Sequence, residues 1–181
     1  MTSHPLFLST LTNRRAIVMA LCVASITYGV VFWRTADQVR AIWALAFYIP
    51  VVFNAWIDAR THQLVVNWTH LAGGIALSYA LVRPNIYALP IALITGIFFG
   101  GIVRLSHGRL LGAGDARLMT VLAGWHALLW LWSPLWLLLG SFTAHVVYVL
   151  GWSIFRPFAF RRDHAFGPWL VGVSWILTCV A

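Results

Sequence analysis

Residues 110–117 read Leu-Leu-Gly-Ala-Gly-Asp-Ala-Arg, a glycine-rich turn that ends in the carboxylate Asp115 and lies between long apolar runs. Carboxylates are scarce in this chain, which has four Asp and no Glu. Two of them, Asp58 and Asp115, lie where an apolar segment meets a basic loop. We predict that these two acids form one site and that the other segments hold them together.

The composition indicates an integral membrane protein. Hydrophobic residues make up 61% of the 181 residues and charged residues only 9%, whereas a soluble domain carries about 25% charged residues. All twelve basic residues are Arg, and the net charge is +8. Because these Arg lie in short loops between apolar runs, they indicate membrane orientation and not nucleic-acid binding. Cys22 and Cys179 stand apart without a C-x-x-C pair, so neither a zinc site nor a disulfide framework is indicated.

The apolar runs predict an all-α, polytopic bundle with about seven membrane spans. Each run is roughly 15–22 residues long, near the ~20 that a helix needs to cross a bilayer. Backbone amides in lipid must be satisfied within their own segment, so the spans should be helices. We place them at residues 16–33, 41–57 (broken by Pro50), 64–82, 86–103, 116–132, 135–155 and 166–181.

The distribution of Arg predicts the orientation. With the N-terminus inside, nine of the twelve Arg lie in inner segments and three, Arg34, Arg40 and Arg83, lie in outer loops. This positive-inside bias places the N-terminus in the cytoplasm and the C-terminus outside. It also places Asp58 and Asp115 on the same, cytoplasmic face.

Two carboxylates on one face provide the groups that acid–base catalysis needs. An acid at the membrane boundary is expensive and is therefore a functional candidate. Two carboxylates within a few ångströms cannot both ionise, so they hold one proton in common. One can then activate a water while the other protonates a peptide carbonyl or a leaving amine.

Structural explanations compete with this hypothesis for each acid alone. Asp115 has the position of an N-cap after a glycine turn, and Asp58 beside Arg60 has that of a solvated loop charge. The occurrence of both acids on one face of so acid-poor a chain favours the joint site. The glycines of Gly112-Ala113-Gly114 also tolerate positive φ and let another backbone approach closely, so an extended substrate could lie there beside Asp115.

Three segments resemble the type IV prepilin peptidases and their archaeal preflagellin relatives. Gly112-Ala113-Gly114-Asp115 matches their G-x-G-D motif, and Ile57-Asp58-Ala59-Arg60, followed by Asn67-Trp68, is similar to their first-Asp segment. Residues 165–170, Ala-Phe-Gly-Pro-Trp-Leu, are similar to the Phe-Gly-Pro segment that opens their last helix. The resemblance covers about residues 41–181. The chain departs from the pattern at Val65-Val66, where Ile-Pro-Asn is expected, so that Asn67 falls one place late.

The resemblance implies an intramembrane aspartyl endopeptidase of the cytoplasmic membrane, with Asp58 and Asp115 as its catalytic residues and no cofactor or metal. Such enzymes remove short basic leaders from pilin-like precursors, so a precursor is the implied substrate, with pilus or secretion components as further partners. Asn67, Gly167 and Pro168 would be structural residues near the site.

The resemblance also divides the chain. Residues 1–40 would form a cytoplasmic N-terminus, an extra helix and an outer loop, and residues 41–181 a six-helix peptidase core. Larger members carry a methyltransferase region with paired C-x-x-C motifs, which this sequence lacks. The compact form therefore resembles the peptidases of Flp or tight-adherence pilus systems, and N-methylation is not expected.

Other polar residues are weaker candidates. His62 and His107 flank the two Asp loops without a metal-binding spacing. His145, in the middle of the sixth span, fits a buried neutral histidine bonded to a neighbouring helix, and Asp163 fits a solvated loop charge. Two other functions remain open: a small proton-coupled transporter that uses the acids as a relay, and a non-catalytic scaffold of a pilus or secretion complex in which the acids pair with Arg60 or Arg117.

Overall fold

The structure, a computed structural model, describes residues 13–108, 111–155 and 165–181. Within these ranges all regular secondary structure is helical, which confirms the predicted fold class. The seven helices are α1 (Arg14–Thr35), α2 (Gln38–Thr61), α3 (Val66–Val82), α4 (Ala88–Leu105), α5 (Ala113–Leu129), α6 (Ser133–Phe155) and α7 (Gly167–Val180).

Four of these helices, α1, α2, α4 and α6, are long and apolar enough to cross a membrane. The other three, α3, α5 and α7, have 14 to 17 residues. A membrane protein is therefore supported, whereas seven complete crossings remain a prediction.

Helices α2, α5 and α7 form the interior of the bundle. Helix α2 packs against α1, α3 and α7, and α5 packs against α3, α4, α6 and α7. Their largest buried side chains meet in the core, where the rings of Phe47 and Trp125 stack with centroids 4.3 Å apart. Both predicted acids lie on these central helices, so the core packing itself positions them.

The outer helices expose apolar side chains. Leu93, Ile97 and Phe98 on α4, and Leu139 and Val147 on α6, are each more than half exposed. Soluble monomers rarely expose contiguous apolar patches of large size. This surface instead suits the hydrocarbon of a bilayer.

Helix α2 passes through Pro50 without interruption, so the predicted break there is wrong. Proline removes one backbone hydrogen bond, but ending the helix inside an apolar bundle would expose several more polar groups. Pro50 and its neighbours Val51 and Val52 are buried, which holds the segment helical. Asp58 consequently lies in the last turn of α2 and not in the loop where the sequence analysis placed it.

Candidate active site

Asp58 joins the end of α2 to the start of α7. Its side chain is buried, with 5% of its surface exposed, and the Gly167 N–H donates to its Oδ2 at 2.9 Å. The Asp58 carbonyl accepts the N–H of His62, which ends the helix with a φ of 52°. A helix N-terminus such as that of α7 presents free N–H groups to a carboxylate. Asp58 is therefore not the solvated loop charge of the structural alternative.

Asp115 lies in the first turn of α5. Gly112 is the N-cap residue, with φ −68° and ψ 146°, and Ala113 and Gly114 are already helical. None of the three therefore uses a positive φ. Asp115 is the third helical residue, not the N-cap itself, and its carboxyl accepts a backbone hydrogen bond from Gly112. In a capping box the side chain of the third helical residue accepts the backbone N–H of the N-cap residue, so this bond is one of the two bonds of that motif.

The two carboxyl groups interact although they belong to different helices. Asp115 lies outside the four candidate spans. Its burial, and then the negative charge of Asp58 nearby, raise the pKa of Asp115 from 3.8 to about 6. The side chain of Leu64 lies against both Gly114, which precedes Asp115, and Gly167, whose N–H binds Asp58. The fold thus brings both predicted acids to the same end of the bundle.

Neither acid is neutralised by a cation in the part of the chain that the structure describes. The one ion pair there joins Arg83 to Asp37, at 3.1 Å. Arg60 instead lies over the ring of Trp56, 4.2 Å from its centroid. The pairing of Asp58 or Asp115 with Arg60 or Arg117, which the scaffold alternative requires, is not observed among these residues.

Two glycines allow the helix ends to pack closely at this site. A Cβ on Gly167 would lie 2.7 Å from Oδ2 of Asp58, and a Cβ on Gly114 would lie 2.8 Å from Cβ of Leu64. Both positions therefore exclude a side chain. Leu64 covers Gly114, whereas Gly112 and Ala113 are exposed. The sequence predicts that a substrate backbone can approach all three residues. The structure leaves only Gly112 and Ala113 accessible to it.

The remaining residues predicted near the site are placed as follows. Gly167 and Pro168 begin α7, as the Phe-Gly-Pro segment predicts. Asn67 is half-buried in the first turn of α3. The hydrogen bonds that hold this connection come instead from Asn54, which accepts from the Val65 N–H at 2.7 Å and donates to Oγ1 of Thr69 at 2.8 Å.

Sequence reasoning missed Asn54. A signal was present, because Asn54 is a polar residue in an apolar run and precedes Asp58 by four residues. Residues four apart lie on the same helix face. Asn54 is fully buried, so it and Asp58 face the interior together.

The histidines singled out by the sequence lie at the edge of the site or away from it. His62 and His107 are exposed, each with a φ of 52°. His145 is half-buried on α6 and meets the ring of Phe166 edge-on, with centroids 5.2 Å apart. Asp163 lies outside the described residues. No group of three or more potential metal ligands occurs within residues 13–108, 111–155 and 165–181.

A second polar region, which the sequence analysis also missed, lies deeper in the same helices. His126 shares hydrogen bonds with Ser133 at 2.7 Å and Ser174 at 2.8 Å. The Tyr48 hydroxyl shares bonds with Ser174 at 2.9 Å and Thr178 at 2.8 Å. Trp125 donates to Thr178 at 3.2 Å. We call these six buried residues the neutral network; Tyr48 is ten residues before Asp58 on α2, or about 15 Å along the helix axis.

We call Asp58, Asp115 and the helix ends around them the acid end; two carboxyls at one place, one protonated and one ionised, would provide the groups that general acid–base catalysis needs. Both acids lie at helix ends, whereas a transmembrane proton relay would need acids at mid-membrane depth. Comparison with protein-family models, curated proteins and solved structures yields no match.

Proposed function

We propose that this protein is a membrane-embedded aspartyl endopeptidase that removes the short basic leader from pilin-like, Flp-type precursors at the cytoplasmic face. The observation that carries the proposal is that Asp58, which is buried, and Asp115, which is half-buried, lie at one end of the bundle, where Leu64 packs against both Gly167 and Gly114. The resemblance of the G-x-G-D and Phe-Gly-Pro segments to prepilin peptidases supports the choice of substrate. The absence of paired C-x-x-C motifs from the sequence supports a peptidase without methyltransferase activity.

In the proposed mechanism the two carboxyls share one proton. The ionised carboxylate takes a proton from a water, whose oxygen attacks the carbonyl carbon of the scissile peptide bond. The other carboxyl gives its proton to the carbonyl oxygen, which produces a neutral gem-diol intermediate. No covalent bond to the enzyme forms.

Collapse of the intermediate restores the starting state. The carboxyl protonated in the first step gives its proton to the amide nitrogen, and the C–N bond breaks. A hydroxyl of the diol returns a proton to the other carboxylate, which leaves one proton on the pair, a carboxylic acid on the leader and a free amine on the mature protein. A pKa of about 6 for Asp115 lets the pair keep its proton close to neutral pH, where a general acid is most effective.

The proposal includes the membrane arrangement. Seven crossings with the N-terminus inside would put nine Arg on the cytoplasmic side and the two acids at that surface. A basic leader would then be cut as it leaves the membrane, with its hydrophobic helix still in lipid. Residues 41–181 would form the peptidase core, with α1 as an added helix.

The proposal is tested by co-expressing the protein with a candidate precursor and following the size shift of the precursor in membranes. Asp58→Asn and Asp115→Asn should each reduce cleavage below detection, because neither amide can transfer the proton. Asp37→Asn is the matched control, since Asp37 caps α2 at its other end and pairs with Arg83. Cleavage that persists in either catalytic variant would contradict the proposal and leave the pair to another role, such as a proton relay.

A further inference from the structure

The connection between α2 and α3 is fixed by one buried amide. Asn54 is fully buried. Its Oδ1 accepts the Val65 N–H at 2.7 Å, and its Nδ2 donates to Thr69, whose Oγ1 also donates to the Val65 carbonyl at 3.4 Å. A buried amide is tolerated when its polar atoms are paired. Residue 65, and with it the preceding Leu64, is therefore held at a defined place relative to α2.

Leu64 lies against the first turns of both helices that complete the site. Its Cβ is 2.8 Å from the position that a Cβ on Gly114 would take, and its Cδ2 is 3.2 Å from that on Gly167. Gly114 directly precedes Asp115, and Gly167 holds the Asp58 carboxyl by its N–H. One side chain thus contacts the supports of both acids.

We infer that Leu64 is the spacer that sets the separation of the Asp58 and Asp115 carboxyls, and that Asn54 is the positioning residue that holds it. Protein interiors are close-packed, so the volume of Leu64 limits how closely the starts of α5 and α7 approach each other. Proton sharing depends on that separation, and a displacement of about 1 Å in a catalytic site can reduce the rate about a hundredfold. The consequence for catalysis rests on the proposed function, whereas the spacing itself does not.

Two variants test the spacer: one shortens Leu64 itself, and the other removes the side chain that holds it. Leu64→Ala deletes its volume, and Asn54→Leu keeps a side chain of similar size but removes both hydrogen bonds. We expect precursor cleavage at least tenfold slower in each. Leu64→Met, which conserves volume, should restore most of the rate. Leu138→Ala, which shortens a half-buried leucine near the neutral network, is the matched control and should stay within twofold of the wild type.

A second measurement separates a spacer from a merely stabilising residue, and it needs no substrate. The chain has four Asp and no Glu, so ¹³Cγ-labelled Asp gives only four side-chain carboxyl signals, which Asp58→Asn and Asp115→Asn assign. When Leu64→Ala lets the starts of α5 and α7 come closer, the Asp58 charge acts on Asp115 at shorter range, and the Asp115 titration midpoint should rise, away from that in Asp58→Asn. In Asn54→Leu, where Leu64 is no longer held in place, the midpoint should also shift. The other ionisable side chains near this end, Arg60, His62, His70, Arg104, His107 and Arg117, are the same in both spacer variants.

The two measurements can contradict the spacer inference and the proposed peptidase independently. If the wild type cleaves its precursor but the Asp115 midpoint is unchanged in folded Leu64→Ala and Asn54→Leu, the spacer inference is overturned while the peptidase stands. If the midpoint moves but no precursor is cleaved by the wild type, the spacer stands and the peptidase falls. A decline in cleavage equal to that of Leu138→Ala would also overturn the inference.

Discussion

The acid end and the neutral network share the helices α2, α5 and α7, but their buried polar groups have different partners; the network also includes Ser133 at the start of α6. In the neutral network, Tyr48, His126 and Ser174 each share hydrogen bonds with two neutral partners. At the acid end, Asp58 and Asp115 each accept one backbone N–H, and the Asp58 charge raises the pKa of Asp115 further.

This difference suggests that the neutral network serves the stability of the fold and the acid pair serves its function. A buried network whose members are all bonded holds helices in one arrangement and contributes to stability. Two carboxyls of like charge without a cation oppose folding when both ionise. Groups that destabilise a fold are typical of active sites, where stability is given up for activity. Variants of the two regions should therefore affect different measurements.

The largest effect should come from Gly167→Ala at the acid end. Its Cβ would lie 2.7 Å from Oδ2 of Asp58 and 3.2 Å from Cδ2 of Leu64, so the carboxyl must move. We expect cleavage to fall about a hundredfold or more, measured as the precursor size shift over time. Gly172→Ala on the same helix, with nothing within 4 Å of its Cβ, should keep wild-type activity. Equal activity of the two variants would contradict the close contact at Gly167.

The second prediction is that an inactive variant is more stable than the wild type. The folded-state pKa of Asp115, about 6, is above its ordinary value of 3.8, so the folded protein binds this proton more tightly than the unfolded chain. The resulting stability is fully present below about pH 4 and is lost as the pH rises through about 6. Asp115→Asn stays neutral, so at pH 7.5 it should raise the free energy of unfolding by at most about 3 kcal/mol.

Thermal unfolding in detergent at pH 7.5 and at pH 4 measures this difference. The gain should be present at the higher pH and absent at the lower one. Asp37→Asn, which removes the charge of an ion pair, should show no gain at either pH. A gain in Asp115→Asn that is independent of pH would contradict the assigned cause.

Variants of the neutral network should show the opposite pattern: a lower free energy of unfolding and unchanged cleavage. Ser174→Ala removes the hydroxyl that joins Tyr48 to His126. Leaving buried polar groups unpaired should lower the free energy of unfolding by about 2 kcal/mol, measured by denaturant titration in micelles. Ser153→Ala, whose hydroxyl bonds only the Val149 carbonyl of its own helix, should change it by a few tenths of a kcal/mol. Cleavage per folded molecule should match the wild type in both variants.

The last prediction concerns the pH dependence of cleavage. The mechanism needs one proton on the carboxyl pair, and the pKa of Asp115 is about 6. Cleavage should therefore decline as the pH rises above about 6, approaching tenfold per pH unit. The rate in permeabilised membranes between pH 5 and 8 measures this. A rate that increases over that range would mean that the active pair carries no proton.

The sequence predicted those features that depend on composition or on local pattern. The all-helical class follows from the apolar runs, and the start of α7 follows from Gly167-Pro168, because proline suits the first helical turn. The acids could be assigned to one end because both flank apolar runs. The break at Pro50 was predicted wrongly, since local propensity was overridden by burial of the residues around it.

Features that depend on contacts between helices could not be read from the sequence. Asn54 and Leu64 matter because of where α5 and α7 begin in space, and the sequence carries no measure of that distance. His126 stands in an apolar segment that ends in exposed tryptophans, so its partners on other helices had no local signal. The sequence singled out His145, which is half-buried, whereas the fully buried histidine of the core is His126.

The hydrogen bond from Gly167 to Asp58 joins residues 109 positions apart in the chain. In the part of the chain that the structure describes, six helices precede α7, so a ribosome has synthesised nearly all of it before this bond can form. The nascent protein can therefore enter the membrane with both acids in place and still lack the support of one of them. Under the proposed function, cleavage would begin only after the last helix has been synthesised.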